Sequence, residues 1–220
     1  MLGCTRRLIN EGWDVHTIVR PQSSLDSIQD IIEKITVHKH CGTTEGIHDI
    51  IGEANPTVVF HLASLFLAQH QAGDIEPLIK TNILFGTQLV EAMVTNRVYR
   101  LVNTGTSWQH YNDEDYNPAC LYAATKQAFE TILKFYLETT PLKAITLKLF
   151  DTYGPNDQRP KLFNMLKKAA EEHKPLVMSP GEQLISVVYI DDVVNAFILS
   201  AERLLTNEAY QYEDYAVSYE

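Results

Sequence analysis

T-V-V-F-H-L-A (57–63) and V-Y-R-L-V-N-T (98–104) are two short apolar runs, and a helix-patterned stretch (75–96) lies between them. Both runs read as strands buried on both faces, and the stretch between them as a crossover helix. A crossover of this kind makes its two strands parallel neighbours. Working outward, the alternation continues. Upstream, T-R-R-L-I-N-E-G (5–12) reads as a helix end closed by Gly12, and W-D-V-H-T-I-V (13–19) as a strand. A helical spacing over S-S-L-D-S-I-Q-D-I-I-E-K (23–34), a strand K-I-T-V-H-K (34–39) and a helix E-G-I-H-D-I-I-G-E-A (45–54) follow. Downstream come a helix holding Tyr122 and Lys126, the strand A-I-T-L-K-L-F (144–150), an amphipathic helix (160–173), the strand S-V-V-Y-I (186–190) and a last helix (191–205). Asp191 and Asp192 open that last helix and read as capping and dipole-complementing acids. The tail Y-Q-Y-E-D-Y-A-V-S-Y-E (210–220) is aromatic and acidic and reads as no closing element. The expectation is an α/β fold, a doubly wound, Rossmann-like parallel sheet, whose ligands bind beyond the carboxyl ends of the strands. Residues 1–150 are expected to form the nucleotide-binding domain, and 151–220 a partial substrate region interleaved with its late strand and helix.

The bulk numbers narrow the class. The chain has 220 residues, 45% apolar and 21% charged, with a formal net charge of -10. That charge argues against a nucleic-acid partner, which needs concentrated Lys and Arg. Cys4, Cys41 and Cys120 form neither a metal pattern nor a disulfide framework, which points to a reducing cytoplasm. No apolar run is long enough to span a bilayer, so no membrane partner is expected. His38, His40, His61, His70 and His110 fall on different elements and suggest no metal site.

L-Y-A-A-T-K (121–126) carries the chemistry. Tyr122 and Lys126 stand four apart and share a helix face. A cation beside a phenol lowers its pKa from about 10, and such a tyrosine can exchange a proton with a hydroxyl or carbonyl. T-G-T-S (104–107) lies upstream at a strand end, where a Thr or Ser hydroxyl could hold the same oxygen. The plain alternative is a solvated i,i+4 pair.

Six segments then match one family in order. V-V-F-H-L-A-S, N-I-L-F-G-T-Q-L-V-E-A-M, T-G-T-S-W, Y-A-A-T-K, L-F-D-T-Y-G-P and V-Y-I-D-D-V-V-N-A-F resemble the extended short-chain dehydrogenase/reductases, the sugar-nucleotide epimerases and dehydratases. N-T-G-T-S-W-Q-H-Y and S-P-G-E-Q resemble, within that family, reductases that make CDP-3,6-dideoxyhexoses, of the CDP-abequose and CDP-paratose synthase type. The resemblance implies that Tyr122 is the general acid/base, that Lys126 tunes it and holds the nicotinamide ribose, and that Thr106 holds the substrate oxygen, with Ser107 next in line. It implies cofactor contacts at Leu62, Ala63 and Ser64 and a supporting Asn82. It places Phe150 and Asp151 at the sugar pocket, where Asp151 replaces an Asn. Trp108 could flank the sugar or simply pack, and Arg159 could pair with a diphosphate or be solvated. Arg20 follows the second strand of the family's nucleotide half. An Arg there accommodates a 2′-phosphate, so NADP is expected over NAD. Ser107-Trp108 stands where dehydratases carry Asp-Glu, which speaks against dehydration. A homodimer is a family expectation.

The family begins with a strand and a G-x-x-G-x-x-G turn, whereas this sequence begins M-L-G-C-T-R-R-L. Only Gly3 can stand for the turn's last glycine, which suggests a truncated frame or a misassigned start. Two readings follow: an NADP-dependent reductase or epimerase of a nucleotide-linked 4-keto-hexose in polysaccharide precursor synthesis, or an inactive remnant or binding module of the same fold.

Overall fold

In the computed structural model, residues 2–155, 157, 161–178, 180–182, 185–206 and 210–218 are described. Helix α1 (Leu2–Asn10) ends at Gly12, whose φ of 83° a side chain rarely tolerates. Strand β1 (Val15–Val19) follows, then a tight helical segment (Asp26–Lys34) and strand β2 (Ile35–Lys39). That segment was expected to be helical and is a 3-10 helix. Its apolar side chains recur at Ile28 and Ile31, three apart, and both are buried. A three-residue turn stacks such positions on one side. Helix α2 (Thr44–Ala54) is capped by the Thr43 hydroxyl, which accepts from the Gly46 N–H at 3.1 Å. Strand β3 (Val59–His61), helix α3 (Ile75–Ile79), a π turn (Lys80–Leu84) and helix α4 (Phe85–Thr95) lead to strand β4 (Arg100–Thr106).

Helix α5 (Leu121–Thr139) and strands β5 (Lys143–Leu149) and β6 (Asp151–Tyr153) come next. Helix α6 (Leu162–Glu171), strand β7 (Val187–Tyr189), helix α7 (Ile190–Leu205) and strand β8 (Tyr212–Val217) complete the described chain. The tail, expected to add nothing, supplies β8, which pairs with β5 from Ala144–Tyr212 to Leu149–Val217. Its Y-E-D-Y-A-V alternates poorly because an edge strand is solvated and carries charge.

All the strand pairings are parallel, in the orders β1-β2, β3-β4-β5-β8 and β6-β7. Helices cover both faces. One core layer joins Cys4 and Leu8 of α1 to Val194, Phe197 and Ala201 of α7 over the sheet. The other joins Ile47 and Ile51 of α2, Leu89 and Met93 of α4, and Phe129 and Leu133 of α5. Burying each large side chain stabilises by roughly 1.5–3 kcal/mol.

Between β1 and β3 lies a cavity of about 440 Å³, lined by Val15, Ile18, Val58, Phe60, Leu62 and their neighbours. Strand β3 was expected to be buried on both faces. It is three residues long, and Val59 and Phe60 are only half-buried, because one of its edges meets this cavity. At α7 the N-cap position is Tyr189, and Asp191 and Asp192 stand in the first turn of the helix. There they complement the positive end of the helix dipole.

Candidate active site

The site forms where β3, β4 and β5 end and α5 begins, as expected for a parallel sheet. Tyr122 and Lys126 occupy the first turns of α5, with 7% and 2% of their surfaces exposed. The Ser64 and Thr106 hydroxyls act on the Tyr122 phenol and pull its pKa downward. Three hydroxyls from three elements thus meet: the loop after β3, the end of β4 and the start of α5.

The electrostatics differ from the expectation. The Tyr122 pKa is raised, not lowered. Burial is the largest cause, the Ser64 and Thr106 hydroxyls only partly offset it, and Lys126 is not among the groups that act on the phenol. Burial also pulls Lys126 down to about 8, against a smaller upward pull from Glu130 one turn on. The Lys126 Nζ has no hydrogen-bond partner among the described residues. Glu130 is 4% exposed, and its carboxylate stands 3.9 Å from the Lys148 Nζ. Lys148 pairs with Asp214 at 2.7 Å and meets the His110 Nε2 at 2.8 Å. A charged group unpartnered in a dry site is costly and is a common mark of function.

Asn82 organises the surroundings from within the π turn, a distortion often found at functional sites. It is fully buried. Its Oδ1 accepts from the Leu65 N–H at 2.8 Å and the Ser64 hydroxyl at 3.3 Å. Its Nδ2 donates to the Leu65 carbonyl at 3.0 Å and the Thr125 hydroxyl at 2.9 Å. One amide therefore ties the Ser64 loop to α5. Phe66, which the sequence did not single out, lies edge-on to Tyr122 with ring centroids 5.0 Å apart and to Trp108 at 5.6 Å. Its position just past Ser64 was the available signal.

The remaining candidates are more scattered. Leu62 and Ala63 line the cavity beside β3. Arg20 is exposed directly after β1. Ser107 begins the short turn that carries Trp108. Phe150 packs against the core. Asp151, expected at the sugar, is half-exposed and paired with the Lys161 Nζ at 3.1 Å. Arg159 lies outside the described residues. Gly3 lies inside α1, where a Cβ would stand 3.2 Å from Val194 Cγ2, so its small size lets α1 approach α7. His61, deeply buried against Phe85 and Phe129, is pulled down to about 3 by desolvation and then by Lys126. No helix among the described residues is long and apolar enough to cross a membrane.

Residues 3–215 match the NAD-dependent epimerase/dehydratase family. The chain belongs to this family. Among characterised proteins it is 26% identical to the CDP-abequose synthase of Yersinia pseudotuberculosis over 180 residues, 80% of this chain and 60% of that one. It is 27% identical to the UDP-glucose 4-epimerase of Mycolicibacterium smegmatis, over 68% of this chain and 52% of that one. The chain thus spans about half to two-thirds of the length of the curated relatives it matches. Its fold matches the UDP-N-acetylglucosamine 4-epimerase of Methanobrevibacter ruminantium M1 with a TM-score of 0.84 at 22% identity, covering 98% of this chain and 72% of that one. The UDP-glucose 4-epimerase of Thermus thermophilus, solved with NAD, matches with a TM-score of 0.80 at 22% identity, over 98% and 73%. The expected family and doubly wound parallel fold are both met.

The family implies a nicotinamide cofactor. The buried Lys126 ammonium, with no hydrogen-bond partner among the described residues, fits the nicotinamide-ribose end, where a buried donor needs an acceptor. At the pyrophosphate end, Gly3 is engaged in helix packing, and the described residues offer no glycine-rich cradle.

Proposed function

We propose that this chain carries the catalytic part of an NAD(P)-dependent enzyme that reduces or epimerises a nucleotide-linked 4-keto-hexose. The observation that carries the reading is that Tyr122 and Lys126 are both buried on the first turns of α5, with the Ser64 and Thr106 hydroxyls acting on the phenol. Bound NAD(P) would supply or accept the hydride. Tyr122 keeps its proton at neutral pH, because its pKa is raised above the ordinary 10. It is therefore set to donate to a ketone oxygen as that oxygen gains charge. Thr106 holds the same oxygen. Lys126 places positive charge near the reacting centre and would hold the ribose hydroxyls. Phe66 and Trp108 form an aromatic wall beside the phenol, which suits the apolar face of a deoxysugar; Ser107 and Phe150 are assigned to the sugar on the family resemblance. The CDP-abequose synthases among its relatives favour a CDP-linked sugar and a role in O-antigen precursors. Arg20 favours NADP over NAD. We assign residues 1–150 to nucleotide binding and 151–220 to the substrate side, in a cytoplasmic homodimer.

The test is turnover of CDP-, dTDP-, UDP- and GDP-linked 4-ketosugars by the wild type and by Tyr122→Phe. General acid catalysis is worth about 10²–10⁴-fold, so the variant should lose at least that while it stays folded. A variant that keeps its rate removes Tyr122 from the reaction. NADPH should bind more tightly than NADH in a fluorescence titration, and equal affinities would refute the role of Arg20. The second reading is an inactive remnant or a binding module of the same fold. It requires that no ketosugar be turned over.

A further inference from the structure

Gln109 has no assigned role, yet its amide is fully buried at the centre of the site. Its Oε1 accepts from the Thr106 N–H at 2.8 Å, and its Nε2 donates to the Gln127 Oε1 at 2.8 Å. Thr106 ends β4, and Gln127 follows Lys126 on α5. A single side chain therefore bridges the strand that carries one reacting hydroxyl and the helix that carries the phenol and the ammonium. Room for it comes from Gly105, where a Cβ would stand 2.9 Å from Gln109 Oε1 and 3.1 Å from Glu130 Oε1. Around Thr106 the turn closes as a capping box. The Thr106 hydroxyl accepts from the Trp108 N–H at 3.4 Å and from the Gln109 backbone. With its lone pairs facing those donors, the hydroxyl's own proton is left for an oxygen in front of it.

We propose that Gln109 is a positioning residue whose two amide hydrogen bonds fix the Thr106 hydroxyl against Tyr122 and the substrate oxygen. This rests on the proposed reaction only for the identity of that oxygen. A leucine would fill the same space but strand the Thr106 N–H and the Gln127 Oε1. A buried polar group without a partner costs roughly 1–3 kcal/mol, enough to make the turn shift in search of one. A glutamate would still accept from the Thr106 N–H. It could not donate to Gln127, and it would add a carboxylate beside Glu130.

The test uses Gln109→Leu, Gln127→Leu and Gln127→Glu in the full chain. Gln127→Glu keeps an acceptor for the Gln109 amide and serves as the conservative rescue. The first readout needs no substrate: the titration of Tyr122 in protein labelled with ¹³C at the tyrosine ring carbon bearing oxygen, its signal assigned by loss in Tyr122→Phe. The Thr106 hydroxyl is among the groups that lower the Tyr122 pKa. Its displacement should move the titration to higher pH in Gln109→Leu and Gln127→Leu but not in Gln127→Glu. The second readout is steady-state turnover of a 4-ketosugar nucleotide. There kcat should fall about 10–100-fold in the two leucine variants, less than the about 10²–10³-fold for removing one transition-state donor outright because the hydroxyl is only displaced, with KM within about twofold. An unmoved Tyr122 titration in a folded Gln109→Leu overturns the inference. If that variant does not fold, the Gln127 pair decides: Leu and Glu must differ, and equal behaviour overturns it. If the wild type turns over no ketosugar, the proposed function falls, while the titration still decides the role of Gln109.

Discussion

Replacing Lys126 with Met should make the protein more stable while ending any catalysis. The side chain is 2% exposed and its ammonium has no hydrogen-bond partner among the described residues. Burial draws its pKa from the ordinary 10.5 to about 8, even after the pull of Glu130. The folded state therefore holds the charged form at a penalty of roughly 3 kcal/mol at neutral pH. Between pH 8 and 10.5 the unfolded chain binds the proton that the folded chain has released, so stability rises with pH through that window. Below about 8 both states are charged and the full penalty applies; above 10.5 both are neutral and it vanishes. Met fills a similar volume without charge. Urea unfolding followed by circular dichroism should show Lys126→Met more stable by about 3 kcal/mol at pH 7, with the gain fading towards pH 10.5. A loss of stability at pH 7, or a gain that does not fade with rising pH, would refute the reasoning.

Other perturbations test the scaffold. Asn82→Leu removes four hydrogen bonds. It should cost about 2–4 kcal/mol at a net contribution near 1 kcal/mol per bond, and a cost below about 1 kcal/mol in urea unfolding would show that the Ser64 loop stands without it. Gly86→Ala would set a Cβ 2.6 Å from Phe129 Cε2. The overpacking should cost about 1–3 kcal/mol and outweigh the gain in helix propensity, whereas adding Phe129→Leu should recover part of it; a thermal melt that rises for Gly86→Ala alone contradicts the close approach.

The alternation of elements was legible because each buried strand of a parallel sheet is a short apolar run. T-V-V-F-H-L-A, V-Y-R-L-V-N-T and A-I-T-L-K-L-F all show it. The edge strand β8 was not legible, because solvation lets it carry Glu213 and Asp214 among its tyrosines. The Tyr122/Lys126 pair was visible as an i,i+4 spacing, but spacing says nothing of solvent. Burial of the phenol reversed the expected direction of its shift. Gln109 lies in a segment that the sequence did place near the site, and Phe66 just past one. Their roles depend on which element comes to face them, and that is set by packing rather than by local pattern.

The cavity between β1 and β3 also bears on how the molecule comes apart. A continuous sheet shares its hydrogen bonds across all strands, so it tends to open as one unit. Among the described residues, the β1-β2 pair has no ladder to the four-stranded sheet and is joined to it through side chains and the helices that flank it. Such a division produces cooperative units of unequal stability. Amide protons of β1 and β2 should then exchange with solvent well before those of β4 and β5, which have a strand on either side. The same open edges offer unpaired backbone groups to any extended chain nearby, the geometry through which sheets recruit strands from other molecules.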